Sequence, residues 1–95
     1  MGRADSIMSD KKECFVCGRS GALHLHHVFG GANRKNSDKW GCWCWLCPKH
    51  HNMSAEGVHL NRRLDLQVKA ECQERWERIN GSREQFRAVF GKSWL

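Results

Sequence analysis

The cysteine and histidine residues of this chain occur at spacings that suit metal ions. Cys14 and Cys17 are separated by two residues, and Cys47 and His50 have the same separation. Two closely spaced pairs of this kind supply the four sulfur and nitrogen ligands that a tetrahedral structural zinc ion takes. The pattern predicts a zinc ion that joins two distant parts of the chain, so that the free energy of metal binding becomes free energy of folding.

The identity of the fourth zinc ligand is open, because the chain has further cysteines. Cys44 could replace Cys47 or His50, and Cys42 is also available. For Cys42, Cys44 and Cys72 we favour a different role, that of small buried apolar side chains, because unpaired cysteines are among the most often buried residues.

Disulfide bonds are the alternative use for six cysteines in a chain of 95 residues. Residues 1–13 are polar and lack the apolar segment of a secretory signal. No apolar run approaches the length of a membrane span, so we expect no membrane partner. The predicted compartment is the reducing cytoplasm, where a Cys-x-x-Cys pattern indicates metal binding.

The histidines form a second constellation. His26 and His27 are adjacent at the end of a predicted strand, where neighbouring side chains point to opposite faces. One could bind a metal as a neutral imidazole while the other accepts a proton from water. His51 and His59, with a glycine between them that favours a bend, would join His26 around one divalent cation. A histidine-rich surface strand is the alternative, and we assign His24 to it as a solvent-facing neighbour.

The chain carries a formal net charge of +6 and has a pI of about 9.3. A basic surface favours polyanionic partners, of which nucleic acid is the usual one. Charge alone would also fit a merely soluble basic protein, so it gains weight only from the histidines beside it.

One small domain of the α+β class is expected to position these residues. We predict a disordered leader over residues 1–12 and a single domain over residues 13–95. Within that domain, residues 13–60 form the core that holds the metal ligands, and residues 61–95 form a helical extension.

The core is predicted to be a hairpin followed by a helix. Residues 23–29 and 42–46 have the composition of two short strands, and residues 30–41 that of a polar loop between them. Pro48 suits the first turn of a helix, which would carry the two histidines behind it.

An apolar stripe at helical spacing predicts the extension. The stripe consists of Leu60, Leu64, Val68, Cys72, Trp76 and Ile79. Ser82 and Gln85 then form a capping-box pattern that opens a last short helix. Phe86 is expected to face inward from that helix, and Trp94 to pack back onto the core.

These residues resemble the HNH (His-Asn-His) endonuclease family, which has the ββα-metal fold. The likeness covers residues 14–61 and follows Cys-x-x-Cys-Gly, His-His, Leu-Cys-x-x-His-His-Asn and Val-His in that order. Residues 25–66 more narrowly resemble small HNH proteins encoded by bacteriophages and prophages. The shared blocks there are His-His-Val-Phe, Gly-x-Asn-Arg-Lys-x-Ser, Leu-Cys-Pro-x-His-His and Gly-Val-His-x-Asn.

The resemblance implies a zinc-stapled ββα-metal core and a mechanism. His26 would be a ligand of the catalytic cation, His51 and His59 would complete its site, and His27 would be the general base. The cation would polarise the scissile phosphate and stabilise the leaving 3′ oxygen while the base activates water, which leaves 5′ phosphates on the products.

The resemblance also implies a partner, DNA, either duplex or branched. Arg34, Lys35 and Lys39 would hold its phosphate backbone, which gives positioning without sequence readout. We therefore expect nicking of low sequence specificity in the cytoplasm of a bacterial host, from a phage or prophage. The apolar stripe could bury against a second copy, because cutting both strands needs two active sites.

One departure from the family concerns its middle asparagine, which usually lies on the second strand and orients the base. Cys42 occupies about that position, and a thiol cannot replace the amide. Asn33, Asn36 or a backbone carbonyl could take this role. For the catalytic cation, three imidazoles favour Zn²⁺, Ni²⁺ or Mn²⁺ over Mg²⁺, which prefers oxygen ligands.

The main alternative function is a non-catalytic, zinc-stabilised nucleic-acid-binding module whose histidines are structural or bind a second zinc. A zinc finger of the ubiquitin-ligase type is less favoured. Such a finger uses its cysteines and histidines on two structural metals and has no need of an adjacent histidine pair.

Overall fold

The structure, a computed structural model, describes residues 3–52, 54 and 56–95. Over these residues the fold is α+β, as predicted. It consists of an antiparallel two-stranded hairpin, one α-helix between the two strands and three α-helices after the second strand. In chain order the elements are β1 (His24–His27), a 3-10 turn (Gly31–Asn33), α1 (Arg34–Trp40), β2 (Trp43–Leu46), α2 (Pro48–His51), α3 (Arg62–Ile79) and α4 (Arg83–Phe90).

The two predicted strands pair in antiparallel register, although both are shorter than the sequence indicated. His26 lies opposite Cys44, and His27 lies opposite Trp43. Because successive side chains of a strand alternate between faces, His26 and Cys44 point inward, where they are 5% and 0% exposed. The hairpin therefore sends the two adjacent histidines to opposite sides of the sheet.

The segment between the strands is a helix, α1, rather than the predicted polar loop. Gly41 ends this helix in the left-handed conformation, with a φ of 73°, which favours glycine. The fully buried Ser37 hydroxyl donates to the carbonyl of Phe29 at 2.7 Å and accepts from its N–H at 3.2 Å. Polar side chains that make tertiary hydrogen bonds thus give a helix from a sequence of turn-like composition.

Two side-chain amides tie α1 to the C-terminal helix. Asn33 donates to the carbonyl of Phe90 at 2.9 Å, and Asn36 donates to the carbonyl of Val89 at 3.0 Å. The last carbonyls of a helix have no partner within it, so these bonds satisfy the end of α4 and fix α1 against it.

α2 begins at Pro48, as predicted. Proline has no backbone N–H, and this is tolerated in the first turn because the N–H groups there have no partner within the helix. Gly57 passes so close to α2 that a Cβ atom there would meet the His51 carbonyl oxygen at 2.7 Å. The chain then returns along α2, and the N–H of His59 donates to the His51 carbonyl at 3.1 Å. The predicted bend at the glycine is confirmed, and it carries His59 to His51.

α3 is the longest helix, with 18 residues. Its predicted apolar stripe is buried in the middle, at Val68, Cys72 and Trp76, and exposed at both ends. Leu60, which precedes the helix, and Ile79 are each 63% exposed. No helix among the described residues is both long and apolar enough to span a bilayer.

Aromatic rings form the centre of the core. The ring centroid of Phe29 lies 4.7 Å from those of Phe90 and Trp94, and Trp76 meets Phe86 edge-on at 5.4 Å. Such pairs add to the large apolar area that each ring buries. The return of Trp94 onto the core is confirmed, and so is the capping box that opens α4.

Residues 3–12 pack onto the domain and do not form the expected disordered leader. The N–H groups of Ala4 and Ile7 donate to carbonyls of α1 and of its C-terminal glycine at 2.8 and 2.9 Å. Met8 is 5% exposed, and Arg75 of α3 donates to its carbonyl at 3.1 Å. The prediction was wrong because it relied on the polar composition of the segment, in which Ile7 and Met8 form an apolar pair that packs with the core. The first two residues of that leader lie outside the described residues.

Candidate metal centres and catalytic cleft

The predicted zinc ligands lie together, and we call Cys14, Cys17, Cys47 and His50 the cysteine cluster. Their ligand atoms all lie within 4.8 Å of one another. The sulfurs of Cys17 and Cys47 are 3.8 Å apart, and the Cys47 sulfur is 3.3 Å from Nδ1 of His50. A tetrahedral ion with bonds of about 2.3 Å to sulfur and 2.0 Å to nitrogen holds its ligands about 3.3–3.8 Å apart. The cluster could therefore hold a metal ion and is compatible with structural zinc.

The surroundings of the cysteine cluster favour a bound cation. Burial raises the pKa of the Cys14 thiol, but hydrogen bonds from the backbone N–H groups of Cys47, Cys17 and Val16 outweigh it and bring the pKa to about 6. The thiolate, which is the form that binds metals, is then present at neutral pH. Burial raises the pKa of the nearby Cys44 to about 12, so that side chain stays a thiol.

Cys42, Cys44 and Cys72 are fully buried and lie outside the cysteine cluster. None of the cysteines forms a disulfide bond. The interpretation of these three as small core side chains is confirmed, and the geometry favours Cys47 and His50 as the second ligand pair.

A second group of donors, His26, His51 and His59, forms what we call the histidine cluster. The three side chains come from β1, from α2 and from the chain that returns along α2, and their donor atoms lie within 4.8 Å of one another. The Nε2 atoms of His51 and His59 are 3.1 Å apart. Nε2 of His26 is buried and has no hydrogen-bond partner among the described residues. A buried nitrogen without a partner is costly, and a cation at the centre of the cluster would satisfy it.

Burial keeps His26 and His51 of the histidine cluster neutral. Burial, together with the nearby rings of His51 and His59 when they are charged, lowers the pKa of His26 to about 3. Burial likewise lowers the pKa of His51 to about 4. Both rings are therefore in the neutral form that binds metals at pH 7. As the pH falls below about 6.5, His26 and His51 take up protons in the unfolded chain before they do so in the folded chain. Acid therefore destabilises the metal-free fold.

His24 is part of this arrangement, contrary to its prediction as a solvent-facing neighbour. Its Nδ1 lies 2.9 Å from Nδ1 of His51, and the two ring centroids are 5.1 Å apart. A hydrogen bond between these atoms requires one to donate. When His51 donates, its Nε2 keeps a lone pair directed at His59. His24 then acts as the outer partner that metal-binding histidines usually have.

His27 meets a carboxylate that sequence reasoning missed. Its Nε2 lies 2.8 Å from Oδ1 of Asp38, which also accepts from Nε of Arg3 at 2.9 Å. Desolvation alone raises the pKa of Asp38, but the hydrogen bonds from Arg3 and His27 hold the pKa below its usual value. Asn33 and Asn36, two of the alternatives considered for this role, are instead bonded to α4. Asp38 could have been found only by recognising α1, which turns it toward β1.

The histidine cluster and His27 line one cleft of about 350 Å³. Its lining residues are Leu25, His26, His27, Gly30, Gly31, Arg34, His51 and His59. Of the three predicted phosphate-binding residues, Arg34 alone lines this cleft. Lys35 and Lys39 are exposed elsewhere on α1, and Nζ of Lys39 lies 5.5 Å from the centre of the Trp40 ring.

A further basic side chain lies beside the histidines. Lys69 of α3 lines a second cavity, of about 220 Å³, together with His26, His27 and His59. Its Nζ is 2.6 Å from Oδ2 of Asp65, one helical turn earlier. The apolar stripe of α3 indicates which side chains enter the core and does not identify this lysine.

Comparison with known proteins does not assign this arrangement to a family: a scan against protein-family models, a search of curated proteins and a search of solved structures found no match. The functional conclusion therefore depends on the two clusters, the His27–Asp38 pair and the cleft.

Proposed function

We propose that this protein is a metal-dependent endonuclease of the HNH type, which hydrolyses phosphodiester bonds in DNA. In this proposal β1, β2 and α2 form the ββα-metal core, and α3 and α4 are the helical extension. The observation that carries the proposal is a convergence on one open cleft of three imidazoles, a separate histidine paired with a carboxylate, and an arginine. The net charge of +6 supports a polyanionic substrate.

Two kinds of ion belong to the proposal, a structural zinc in the cysteine cluster and a catalytic divalent cation in the histidine cluster. The unpartnered Nε2 of His26 and the neutral state of His26 and His51 support the catalytic cation in the histidine cluster. When bound there, the cation supplies Lewis-acid stabilisation of charge on the phosphate and its leaving oxygen. Imidazole ligands favour zinc, nickel or manganese over magnesium.

His27 is the proposed general base. When its Nε2–H donates to Asp38, its Nδ1 keeps a lone pair, which can accept a proton from the attacking water. Asp38 would hold the ring in this tautomer and stabilise the imidazolium that forms. The carboxylate thus takes the orienting role for which the family uses an asparagine.

Cations beside the cleft would hold the strand. Arg34 lines the cleft and Lys69 lines the adjoining cavity, which supports a role for both in binding phosphate oxygens. Lys35 and Lys39 would extend the basic surface to flanking phosphates. Contacts of this type position a strand without reading its bases, so we propose nicking of low sequence specificity with a strong dependence on salt.

The test uses supercoiled plasmid and zinc-loaded protein, to which Zn²⁺, Mn²⁺, Ni²⁺ or Mg²⁺ is added. We expect the parent to convert the plasmid to the nicked form with at least one added ion. His27→Ala should reduce the nicking rate by about 10²–10⁴, the usual contribution of a general base. Because His27 is not a proposed ligand, the variant should bind as much metal as the parent.

Gel mobility of the plasmid separates this proposal from its main rival. If parent and His27→Ala both retard the plasmid but leave it intact with every ion, the protein is a nucleic-acid-binding module. Equal nicking by parent and variant would show that His27 is not the base.

A further inference from the structure

The outer face of the hairpin carries two tryptophans next to the proposed base. Trp43 and Trp45 are half-buried and alternate along β2 with fully buried residues. In the register of the sheet, Trp43 lies opposite His27 and Trp45 lies opposite Leu25. Directly opposed side chains of an antiparallel pair have Cβ atoms about 5 Å apart. The tryptophan face therefore begins at the immediate neighbour of His27.

A cavity of about 430 Å³ lies between this face and the N-terminal segment, and it is larger than the cleft at the histidines. Its lining residues are Asp5, Ser6, Ser9, Asp10, Lys11, Lys12, Trp43 and Trp45. Small-molecule pockets of about 300–1,000 Å³ are typical, so the space is sufficient for a nucleoside. The cavity exists because residues 3–12 pack against the hairpin.

Cations surround the two rings. Nζ of Lys12 lies 4.8 Å from the centre of the Trp45 ring, and the Arg3 guanidinium carbon lies 5.7 Å from that of Trp43. The indole N–H of Trp43 donates to the carbonyl of Ala4 at 2.8 Å, which fixes that ring in place. No side-chain hydrogen bond holds Trp45 among the described residues, so its ring is the one that can adjust to a ligand.

We infer that this cavity binds an unpaired nucleotide of the DNA strand whose phosphate lies in the histidine cleft. The base would stack on Trp45, because aromatic side chains hold unpaired bases by stacking whatever their sequence. Asp5 and Asp10 can accept hydrogen bonds from the amino groups of a base. Lys11 and Lys12 would pair with the phosphates on either side of it.

This inference rests on the proposed function and names its substrate class, DNA with an unpaired segment at the cleavage point. In a regular duplex the faces of the bases are covered by their neighbours and cannot stack on a side chain. Single strands, flaps and branches expose those faces. The cavity therefore favours such substrates over continuous duplex.

The experiment measures fluorescence anisotropy of a labelled single strand and of a hairpin duplex of the same composition. All proteins carry His27→Ala, so that no strand is cut. Adding Trp45→Ala should weaken binding to the single strand roughly tenfold, as expected for one lost stacking contact, and change binding to the duplex less than twofold. Trp45→Phe should restore most of the affinity, because a phenyl ring also stacks.

Lys12→Glu provides a second variant on an exposed side chain that does not enter the core. It should weaken binding to the single strand several-fold and make that binding less dependent on salt. Arg78→Glu is the matched control, since Arg78 is exposed on α3 and does not line the cavity. It should leave the preference for single strands unchanged.

Binding to the single strand that is unaffected by Trp45→Ala and by Lys12→Glu would overturn the inference. Equal losses in Trp45→Ala and Trp45→Phe would overturn it as well, because they would reflect packing rather than stacking. Plasmid nicking by the parent is scored separately. An intact plasmid with binding that depends on Trp45 rejects the nuclease alone, whereas active nicking with binding independent of Trp45 rejects the stacking site alone.

Discussion

The cysteine cluster and the histidine cluster share one helix but differ in the number and the type of their donors. Neighbouring residues of α2 serve them, His50 in the first and His51 in the second. The cysteine cluster has four donors, of which Cys14 and Cys47 are buried. The histidine cluster has three donors, the exposed His59 among them, and opens onto a cleft of about 350 Å³.

The number and type of donors explain this contrast. Four donors that include thiolates complete a tetrahedral shell and leave no position for a substrate, which is the pattern of structural sites. Three imidazoles leave positions open, which is the pattern of catalytic sites. Because His50 and His51 are adjacent, an ion that fixes the first also orients the second. The histidine cluster should therefore depend on the cysteine cluster, while the reverse dependence should be weak.

Removal of a cysteine ligand should have the largest effect. We expect Cys14→Ser to abolish cooperative thermal unfolding, because a structural zinc contributes on the order of 10 kcal/mol and a whole domain is stable by only about 5–15 kcal/mol. Circular dichroism during heating, with zinc content measured in parallel, provides the test. The control is Cys42→Ala, which removes a buried thiol outside the cluster and should still unfold cooperatively. A cooperative transition in Cys14→Ser near that of the parent would contradict a structural role.

Alanine substitutions at the two neighbours on α2 test the division between the clusters directly. His50→Ala should lose the fold, whereas His51→Ala should melt within a few degrees of the parent. His51→Ala should nevertheless lose nicking by more than about 100-fold, since losing even an outer partner of a metal ligand costs about 10–100-fold. Thermal unfolding and plasmid nicking measured on both proteins check this. If the two variants unfold alike, the two clusters are not functionally distinct.

A smaller effect is expected at His24, which we regard as a positioning residue for His51. His24→Ala should weaken binding of the second ion about 10–100-fold with little change in melting temperature. Nicking should recover when that ion is raised to saturation, which would not occur if His24 only supported the fold. His24→Asn should keep most of the affinity, because its Oδ1 lies near the position of the lost Nδ1. Calorimetric titration with the divalent ion of the histidine cluster compares the parent, His24→Ala and His24→Asn. Identical affinities for that ion in all three proteins would show that His24 is not part of the site.

Close spacing made the cysteine cluster predictable, whereas long-range contacts hid other parts of the site. Pairs separated by two residues, together with Pro48 and Gly57, were sufficient to indicate the hairpin, α2 and the return of His59. Asp38 was missed because α1 is held by a buried serine and two tertiary amide contacts, which local composition does not reveal. His24 was missed because strand alternation indicates a face but not what covers it.

The anchoring of residues 3–12 to the domain was missed for the same reason. Their hydrogen bonds join them to α1 and to β2, which are more than 30 residues away along the chain. Polar composition correctly indicated exposure for many of these side chains, but a backbone can be anchored while its side chains face water. The cavity beside Trp45 depends on that anchoring and could not be foreseen.

The amides of Asn33 and Asn36 hold the last carbonyls of α4, and the same stretch of chain supplies Arg34 to the cleft and Asp38 to His27. α4 thus supports the part of the chain that carries Arg34 and Asp38. In a chimera that replaces α3 and α4 with helices of another protein, both asparagines stay in place, and the new last helix would have to end with its carbonyls within reach of their amides. A replacement helix that ended elsewhere would leave α1, and with it Arg34 and Asp38, without this support.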